Sequence, residues 1–322
     1  MFILVVPNPV VLPDLTEEQR RRVQDAAGTD ARIVVAKSIE DQVNRAPEAD
    51  IVLGLVPRDA FLAAKKLRWV QALASGVDEI GYPELMEGDV VLTSEKGLVG
   101  NQLSEHAFGL LLALTRGIAA HARRKTWVED RPGFRKRLWE LTDKTMGIIG
   151  LGGTGRALAR RAEAFGMRVI AVDPEDVERP SCVAALWKPA RFYDLLAESD
   201  VVAVCCPLTA ETRGLFDARA FAAMRTGAVL IDVTRGEVVD EDALAGAIRD
   251  GKLYGAGLDV TPREPLPPDS PLWGFDNVII GSHTAGASPL RSDRVVDRFC
   301  RNLRHWRADE PLEGLIDKKK GY

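Results

Sequence analysis

Between Thr145 and Asp173 the sequence passes in order through an apolar run, a glycine cluster, a helical pattern and a second apolar run that ends in an acid. Thr145-Met-Gly-Ile-Ile reads as a buried strand leading into Gly150-Leu-Gly152-Gly153-Thr154-Gly155. Arg156 to Phe165 carries helical spacing, Gly166 stops it, and Arg168-Val-Ile-Ala-Val runs into Asp173. Each glycine of such a G-x-G-x-x-G turn has a separate task. Gly150 permits the tight turn, Gly152 lets backbone approach a pyrophosphate, and Gly155 lets helix pack on strand. The helix start then offers unpaired N–H groups and the positive end of its dipole to phosphates. Asp173, 18 residues beyond Gly155, falls where a carboxylate can accept hydrogen bonds from ribose hydroxyls. A glycine-rich turn alone is weak evidence. The full strand, turn, helix, strand and acid together point to a dinucleotide.

The charge on Asp173 bears on which dinucleotide. It would repel the 2′-phosphate of NADP, and unit charges in contact near a protein surface interact by about 4 kcal/mol. Pro174-Glu175-Asp176 follows, so no adjacent cation offsets it. NAD is therefore expected over NADP, unless an arginine from elsewhere in the chain lies beside Asp173.

With 322 residues, the chain has room for two domains. In the first hundred residues, strands are expected at Phe2–Val6, Ile33–Ala36, Ile51–Val56, Trp69–Leu73 and Val90–Ser94, with helices between them. The clearest helix is Glu17 to Ala27, where Thr16 and Gln19 form a capping box. Asn101 to Arg116 is too broadly apolar for a surface helix. Six further strands are expected at Met146–Gly150, Arg168–Asp173, Val201–Cys206, Val229–Val233, Gly255–Val260 and Val278–Gly281. Helices fall near 153–165, 190–198, 217–224 and 240–250. Such alternation builds parallel sheets covered on both faces, with ligands at the carboxyl ends of the strands. A final helix, about Pro289 to Arg307, could return to the first domain and make it discontinuous.

Those carboxyl ends carry the groups that hydride chemistry needs. Histidine is the usual proton shuttle near neutral pH, and there are four: His106, His121, His283 and His305. His121 and His305 sit beside charged residues in helical stretches and read as surface. His106 lies inside the apolar helix, where a structural role is the plainer reading. His283 occupies the loop past Val278–Gly281, at the ligand edge. Arg235, in the loop after Val229–Val233, can hold a carboxylate in a two-pronged fork and polarise a neighbouring carbonyl, although a surface salt bridge is also open to it. Glu264 follows the strand ending at Val260. A carboxylate beside an imidazole favours the protonated ring and fixes its tautomer, whereas a lone loop glutamate is more often solvated.

Several classes are excluded by the remaining composition. A net charge of −4 argues against a nucleic-acid partner, and the Lys318–Lys320 triplet reads as a solvated end. Phe2–Val6 is too short and lacks the basic start of a signal peptide, so neither export nor a membrane span is expected. Cys182, Cys205, Cys206 and Cys300 show no C-x-x-C spacing and read as small core residues. No metal site is expected, and the cytoplasm is the natural compartment.

Taken together, these motifs resemble the D-isomer-specific 2-hydroxyacid dehydrogenases over essentially the whole chain. The likeness is carried by Gly150–Gly155 with Asp173, Pro207-Leu-Thr-Ala-Glu-Thr212-Arg-Gly214, Asp232-Val233-Thr234-Arg235-Gly-Glu-Val-Val-Asp240, Gly257-Leu-Asp259-Val260 with Glu264-Pro265, and His283-Thr-Ala-Gly286. The resemblance implies Arg235 as substrate anchor, His283 as acid/base and Glu264 as its partner. It also implies that Asp259, Val233 and Thr234 approach the nicotinamide, that Cys206 and Pro207 line the adenine side, and that Thr212 and Gly286 belong to the cofactor site. Ala74-Ser75-Gly76-Val77-Asp78 resembles the family's substrate loop, whose N–H groups hold the carboxylate. Two residues depart from the family's usual pattern: Ser282 stands where a proline is common, and Thr284 where an aliphatic residue is.

The expected fold class is α/β, with two doubly wound parallel sheets. A Rossmann NAD-binding domain would span 99–289, and a smaller, discontinuous flavodoxin-like substrate domain would comprise 1–98 plus 290–322. The resemblance further implies a small 2-keto or 2-hydroxy acid substrate, with glyoxylate and hydroxypyruvate the first candidates, and a homodimer joined through the NAD-binding domain. Two relatives of the fold stand as alternatives. One is an NAD-sensing corepressor, a binding role that an intact Arg/Glu/His set does not exclude. The other is a dehydrogenase of another small anion such as phosphite, although the lysine that phosphite enzymes use is missing from Leu73–Gly76. Formate dehydrogenases carry glutamine where Glu264 stands.

Overall fold

The computed structural model describes residues 1–124 and 126–322. The chain divides into two compact units, one made of Met1–Val99 with Ala287–Tyr322 and the other of Gly100–Gly286.

In the first unit, β1 (Phe2–Val5), β2 (Arg32–Val35), β3 (Ile51–Leu53), β4 (Trp69–Gln71) and β5 (Val91–Thr93) form a parallel sheet in the order β2-β1-β3-β4-β5. This is the flavodoxin-like doubly wound order. The Glu17–Ala27 helix begins as expected. Thr16 Oγ1 accepts from the Gln19 N–H at 3.1 Å, and Gln19 Oε1 accepts from the Thr16 N–H at 3.0 Å. The closing helix, Arg291–Ala308, packs Val295, Val296, Phe299 and Leu303 onto the same core as Ile3, Ile51 and Trp69. In that core Trp69 lies 5.2 Å from the Phe299 ring and donates to Thr93 Oγ1 at 2.8 Å. An ion pair ties this helix down, with Arg291 Nη2 2.8 Å from the buried Glu95 carboxylate.

The second unit holds seven parallel strands: β6 (Thr145–Ile149), β7 (Arg168–Val172), β8 (Ala185–Trp187), β9 (Val201–Val204), β10 (Ala228–Asp232), β11 (Leu253–Leu258) and β12 (Val278–Ile280). Their order is β12-β11-β10-β9-β6-β7-β8. The order reverses beside β6, and this is the crevice where doubly wound sheets take nucleotides. Six of the seven strands match the sequence expectation, but β8 was not expected. It is three half-buried residues long and pairs with β7 at one edge, so it carries too little apolar periodicity to register as a strand.

Helix and sheet meet most closely along β11. The Gly100–Thr115 helix presents Gln102, His106, Leu110 and Leu114 at four-residue spacing. The strand presents Gly255, Gly257 and then Asp259 at two-residue spacing. A Cβ on Gly257 would stand 2.7 Å from Leu110 Cβ, and one on Gly255 would stand 3.3 Å from Leu114 Cδ2. Two missing side chains thus let the helix lie against the strand. At the third step, Asp259 meets His106.

Candidate active site

All seven strands of the second unit run the same way, so the loops after β6, β9, β10, β11 and β12 leave one edge. The turn after β6 has the geometry its glycines suggest. Gly150 adopts φ 94°, a left-handed conformation in which a side chain is strained, and a Cβ there would stand 2.9 Å from the Cys205 carbonyl. A Cβ on Gly155 would overlap the Gly150 carbonyl oxygen. Gly152 caps the Gly153–Ala164 helix and has no side chain with which to bond the N–H groups of its first turn. A Cβ on Gly152 would meet nothing within 4 Å. A helix start without a side-chain cap suits an anionic diphosphate.

Asp173 follows β7, largely buried. Its Oδ2 accepts from the Leu151 N–H at 2.7 Å and its Oδ1 from the Glu175 N–H at 2.8 Å. One acceptor site on each oxygen is therefore used to shape the turn, and further lone pairs remain. Two cations flank the next loop: Lys188 donates to the Pro174 carbonyl at 3.0 Å, and Arg156 to the Glu178 carbonyl at 2.6 Å.

After β9, burial raises the Cys205 thiol well above its ordinary range and pushes Cys206 up to about 12, so both are inert core groups. Pro207 is exposed beside them. The Thr212 hydroxyl donates to the Pro207 carbonyl at 2.7 Å and accepts from the Thr209 N–H at 2.8 Å, which closes this loop on itself.

After β10, Val233 is buried and Thr234 half-buried, and Arg235 starts the Gly236–Val238 turn. Arg235 Nη1 donates to the Thr234 carbonyl at 2.9 Å. A Cβ on Gly236 would overlap the Thr261 backbone, so the Arg235 turn lies flat on the loop that follows β11. That loop carries Glu264, whose Oε1 accepts from the Thr261 N–H at 3.1 Å. Its other oxygen, Oε2, lies 2.8 Å from His283 Nδ1. Both side chains are partly exposed, at 45% for the imidazole and 39% for the carboxylate. Nδ1 therefore serves the carboxylate, and Nε2 is the nitrogen left for a ligand. His283 itself has φ 54°, in the left-handed region.

Asp259 holds that loop from beneath. Its carbonyl accepts from the His283 N–H at 2.8 Å, its Oδ1 from the Thr284 N–H at 3.0 Å and its Oδ2 from the Ala285 N–H at 2.7 Å. Next door, Asp232 is wholly buried. Its Oδ1 takes both the N–H and the hydroxyl of Thr234, and its Oδ2 has no hydrogen-bond partner among the described residues. Burial raises this carboxyl to about 7, and the nearby Asp259 charge acts in the same direction, against the Thr234 hydrogen bonds. The folded protein then holds a proton that the unfolded chain releases near the ordinary carboxylate pKa, so the stability linked to this group falls as pH rises from about 4 to about 7. Asp232→Asn keeps an oxygen for Thr234 and removes the ionisation. It is expected to stabilise the fold more at pH 8 than at pH 5, by up to about 4 kcal/mol at the higher pH, which thermal melts at the two pH values read out. Equal gains at both pH values would refute the assignment.

The second unit thus brings Arg235, Glu264 and His283 to one edge with the Gly150–Gly155 turn, Asp173, Cys206, Pro207, Thr212 and Gly286. Ser75, Gly76 and Val77 sit in the first unit, in the loop after β4, where the Ala74 carbonyl accepts from the Glu95 N–H at 2.9 Å. His106, read as structural in the sequence, has its Nε2 3.3 Å from Asp259 Oδ1. It stands one helical step after Gln102, whose amide reaches the Gly286 carbonyl at 3.4 Å. Among the other flagged residues, Trp127 is 80% exposed, Arg135, Lys136 and Arg137 are exposed, and Trp139 packs edge-on against Tyr254 at 5.8 Å. Among the described residues, no helix is long and apolar enough to cross a membrane.

The model of a family described as D-isomer specific 2-hydroxyacid dehydrogenase, NAD binding domain, matches residues 108–285. A glyoxylate reductase of Korarchaeum cryptofilum (strain OPF8) is 33% identical over 287 residues, which cover 86% of this chain and 85% of that one. A solved D-isomer specific 2-hydroxyacid dehydrogenase family protein from Aeromonas salmonicida subsp. salmonicida A449 superposes with a TM-score of 0.81 at 32% identity, covering 98% of this chain and 99% of that one. An NADPH-dependent glyoxylate/hydroxypyruvate reductase from Sinorhizobium meliloti, solved with NADP and sulfate, gives 0.81 at 26% identity with both chains fully covered.

Proposed function

Because the chain belongs to the D-isomer specific 2-hydroxyacid dehydrogenase family, whose members are oxidoreductases, we propose that it interconverts a small 2-keto acid and the D-2-hydroxy acid, with His283, Glu264 and Arg235 as its working groups. The observation that carries this reading is the 2.8 Å pairing of His283 Nδ1 with Glu264 Oε2, on the sheet edge shared with Arg235 and the glycine turn. When bound, the dinucleotide supplies or accepts a hydride at C2 of the acid. The Gly150–Gly155 turn would hold its diphosphate, and Asp173 its ribose.

The protein's own part is positioning and proton transfer. The Arg235 guanidinium takes the substrate carboxylate in a fork and draws electron density from the adjacent C2 oxygen. In reduction, protonated His283 gives the proton on Nε2 to that oxygen, and Glu264 stabilises the cationic ring beforehand and holds its orientation. In oxidation the same nitrogen takes the hydroxyl proton. Buried Asp259 anchors the loop that carries the ring.

Glyoxylate and hydroxypyruvate are the proposed substrates, supported by the names of the Korarchaeum and Sinorhizobium relatives. NAD is the proposed cofactor, supported by the carboxylate of Asp173. Lys188 and Arg156 flank the following loop, but both already bond its carbonyls. Initial rates of NADH and NADPH oxidation with glyoxylate, hydroxypyruvate, pyruvate, phenylpyruvate and phosphohydroxypyruvate test both points. Turnover of the first two is expected, with kcat/KM about tenfold or more higher for NADH, since each 1.4 kcal/mol of charge repulsion is worth a factor of ten. Equal or better use of NADPH would overturn the cofactor assignment. No turnover of any acid, with NADH binding intact, would favour a binding protein.

A further inference from the structure

We infer that His106 is a positioning residue for the reaction: from its place on the Gly100–Thr115 helix, it fixes the Asp259 carboxylate, which fixes the backbone that presents His283. The inference rests on the reading of His283 as acid/base and goes beyond it.

Three consecutive amides, those of His283, Thr284 and Ala285, all donate to Asp259. They hold His283 at φ 54°, a conformation an L side chain adopts only when its surroundings impose it. The His283 N–H takes the Asp259 carbonyl, and the carboxylate takes the next two amides, so its orientation sets the chain that leaves His283 and with it the imidazole 2.8 Å from Glu264. The Thr284 and Ala285 amides approach that carboxylate from the loop, and His106 Nε2 approaches Oδ1 from the helix at 3.3 Å. Asp259 is 1% exposed, so water does not compete for it. His106 Nε2 is itself buried and makes no aligned hydrogen bond among the described residues, which leaves the contact with Asp259 as its electrostatic partner. Its place is set by packing. Leu110 and Leu114, one and two helical steps further on, lie close against Gly257 and Gly255 of β11, so the helix packs directly on the strand that leads to Asp259.

Displacing a reacting group by about 1 Å is worth on the order of 10²-fold in rate. His106→Leu keeps bulk but removes the nitrogen, and it is expected to lower kcat about 10- to 100-fold through a loosened loop. The affinity for NADH, read by fluorescence titration, should stay within about threefold, since no phosphate or ribose group is touched. His106→Gln carries an amide nitrogen to nearly the place of Nε2 and should recover most of the loss. If the leucine variant does not fold, His106→Asn, whose amide is too short to reach Asp259, takes its place. The decisive measurement is the pair with His283→Ala. If His106 acts through His283, the double variant should be no slower than His283→Ala alone. Multiplying losses, wild-type kcat in the leucine variant, or no recovery with glutamine would overturn the inference and leave the reading of the site intact. Full activity in His283→Ala would instead remove the reading on which it rests.

Discussion

Alanine at position 283 is expected to lower turnover by about 10²–10⁴-fold, the usual worth of a positioned proton-transfer group. The expectation rests on geometry. The ring is partly exposed, its Nδ1 is engaged by Glu264 Oε2, and its main chain is pinned at three successive amides by Asp259. Removing the ring leaves that frame standing, because the amides and the Asp259 carboxylate are untouched. The loss should therefore appear in kcat at saturating keto acid, with NADH affinity changed by no more than about threefold. Stopped assays with keto acid and NADH, beside a fluorescence titration of NADH, separate the two quantities. A variant that turns over within about threefold of the parent protein would end the assignment of His283 as the proton carrier.

The second large effect concerns Arg235. Removing one partner of a desolvated charge pair costs about 2–5 kcal/mol, which corresponds to a loss of about 30- to 5,000-fold in kcat/KM for Arg235→Gln. Arg235→Lys separates charge from shape. The positive charge survives, but a single ammonium cannot make the two parallel bonds a carboxylate takes from a guanidinium. The backbone of this turn is held on Thr261, so a lysine cannot gain reach by moving the chain. The lysine variant should recover only part of the loss. Initial rates across keto-acid concentration give kcat/KM for all three proteins. If lysine restores the full value, the fork is not what Arg235 supplies.

Much of this site can be read from the chain alone, for identifiable reasons. The turn at Gly150–Gly155 is legible because its constraints are local: a positive φ, a carbonyl against which no Cβ fits, and a helix start without a side-chain cap. Arg235, Glu264 and His283 are legible because each follows a strand whose apolar run is unmistakable, and parallel strands deliver their loops to one edge. The Thr16–Gln19 cap is likewise a matter of four adjacent residues. What escapes is tertiary. Strand β8 gains its identity from pairing with β7 and not from its own three residues. His106 reads as one polar residue in an apolar helix, and its meaning comes from Asp259, about 150 positions later and met only when helix and strand are laid together. The glycines at 255 and 257 announce a close approach, but not which helix makes it.

One conformational detail has a wider bearing. A criterion of foldability alone would put glycine at position 283, since a left-handed main chain there costs a β-carbon-bearing residue on the order of 1 kcal/mol. The imidazole occupies the spot against the preference of its own peptide, held by contacts that belong to neighbouring segments. Any change that weakens those contacts lets the chain relax toward an easier shape. In such a protein, thermal robustness and competence in proton transfer need not rise together.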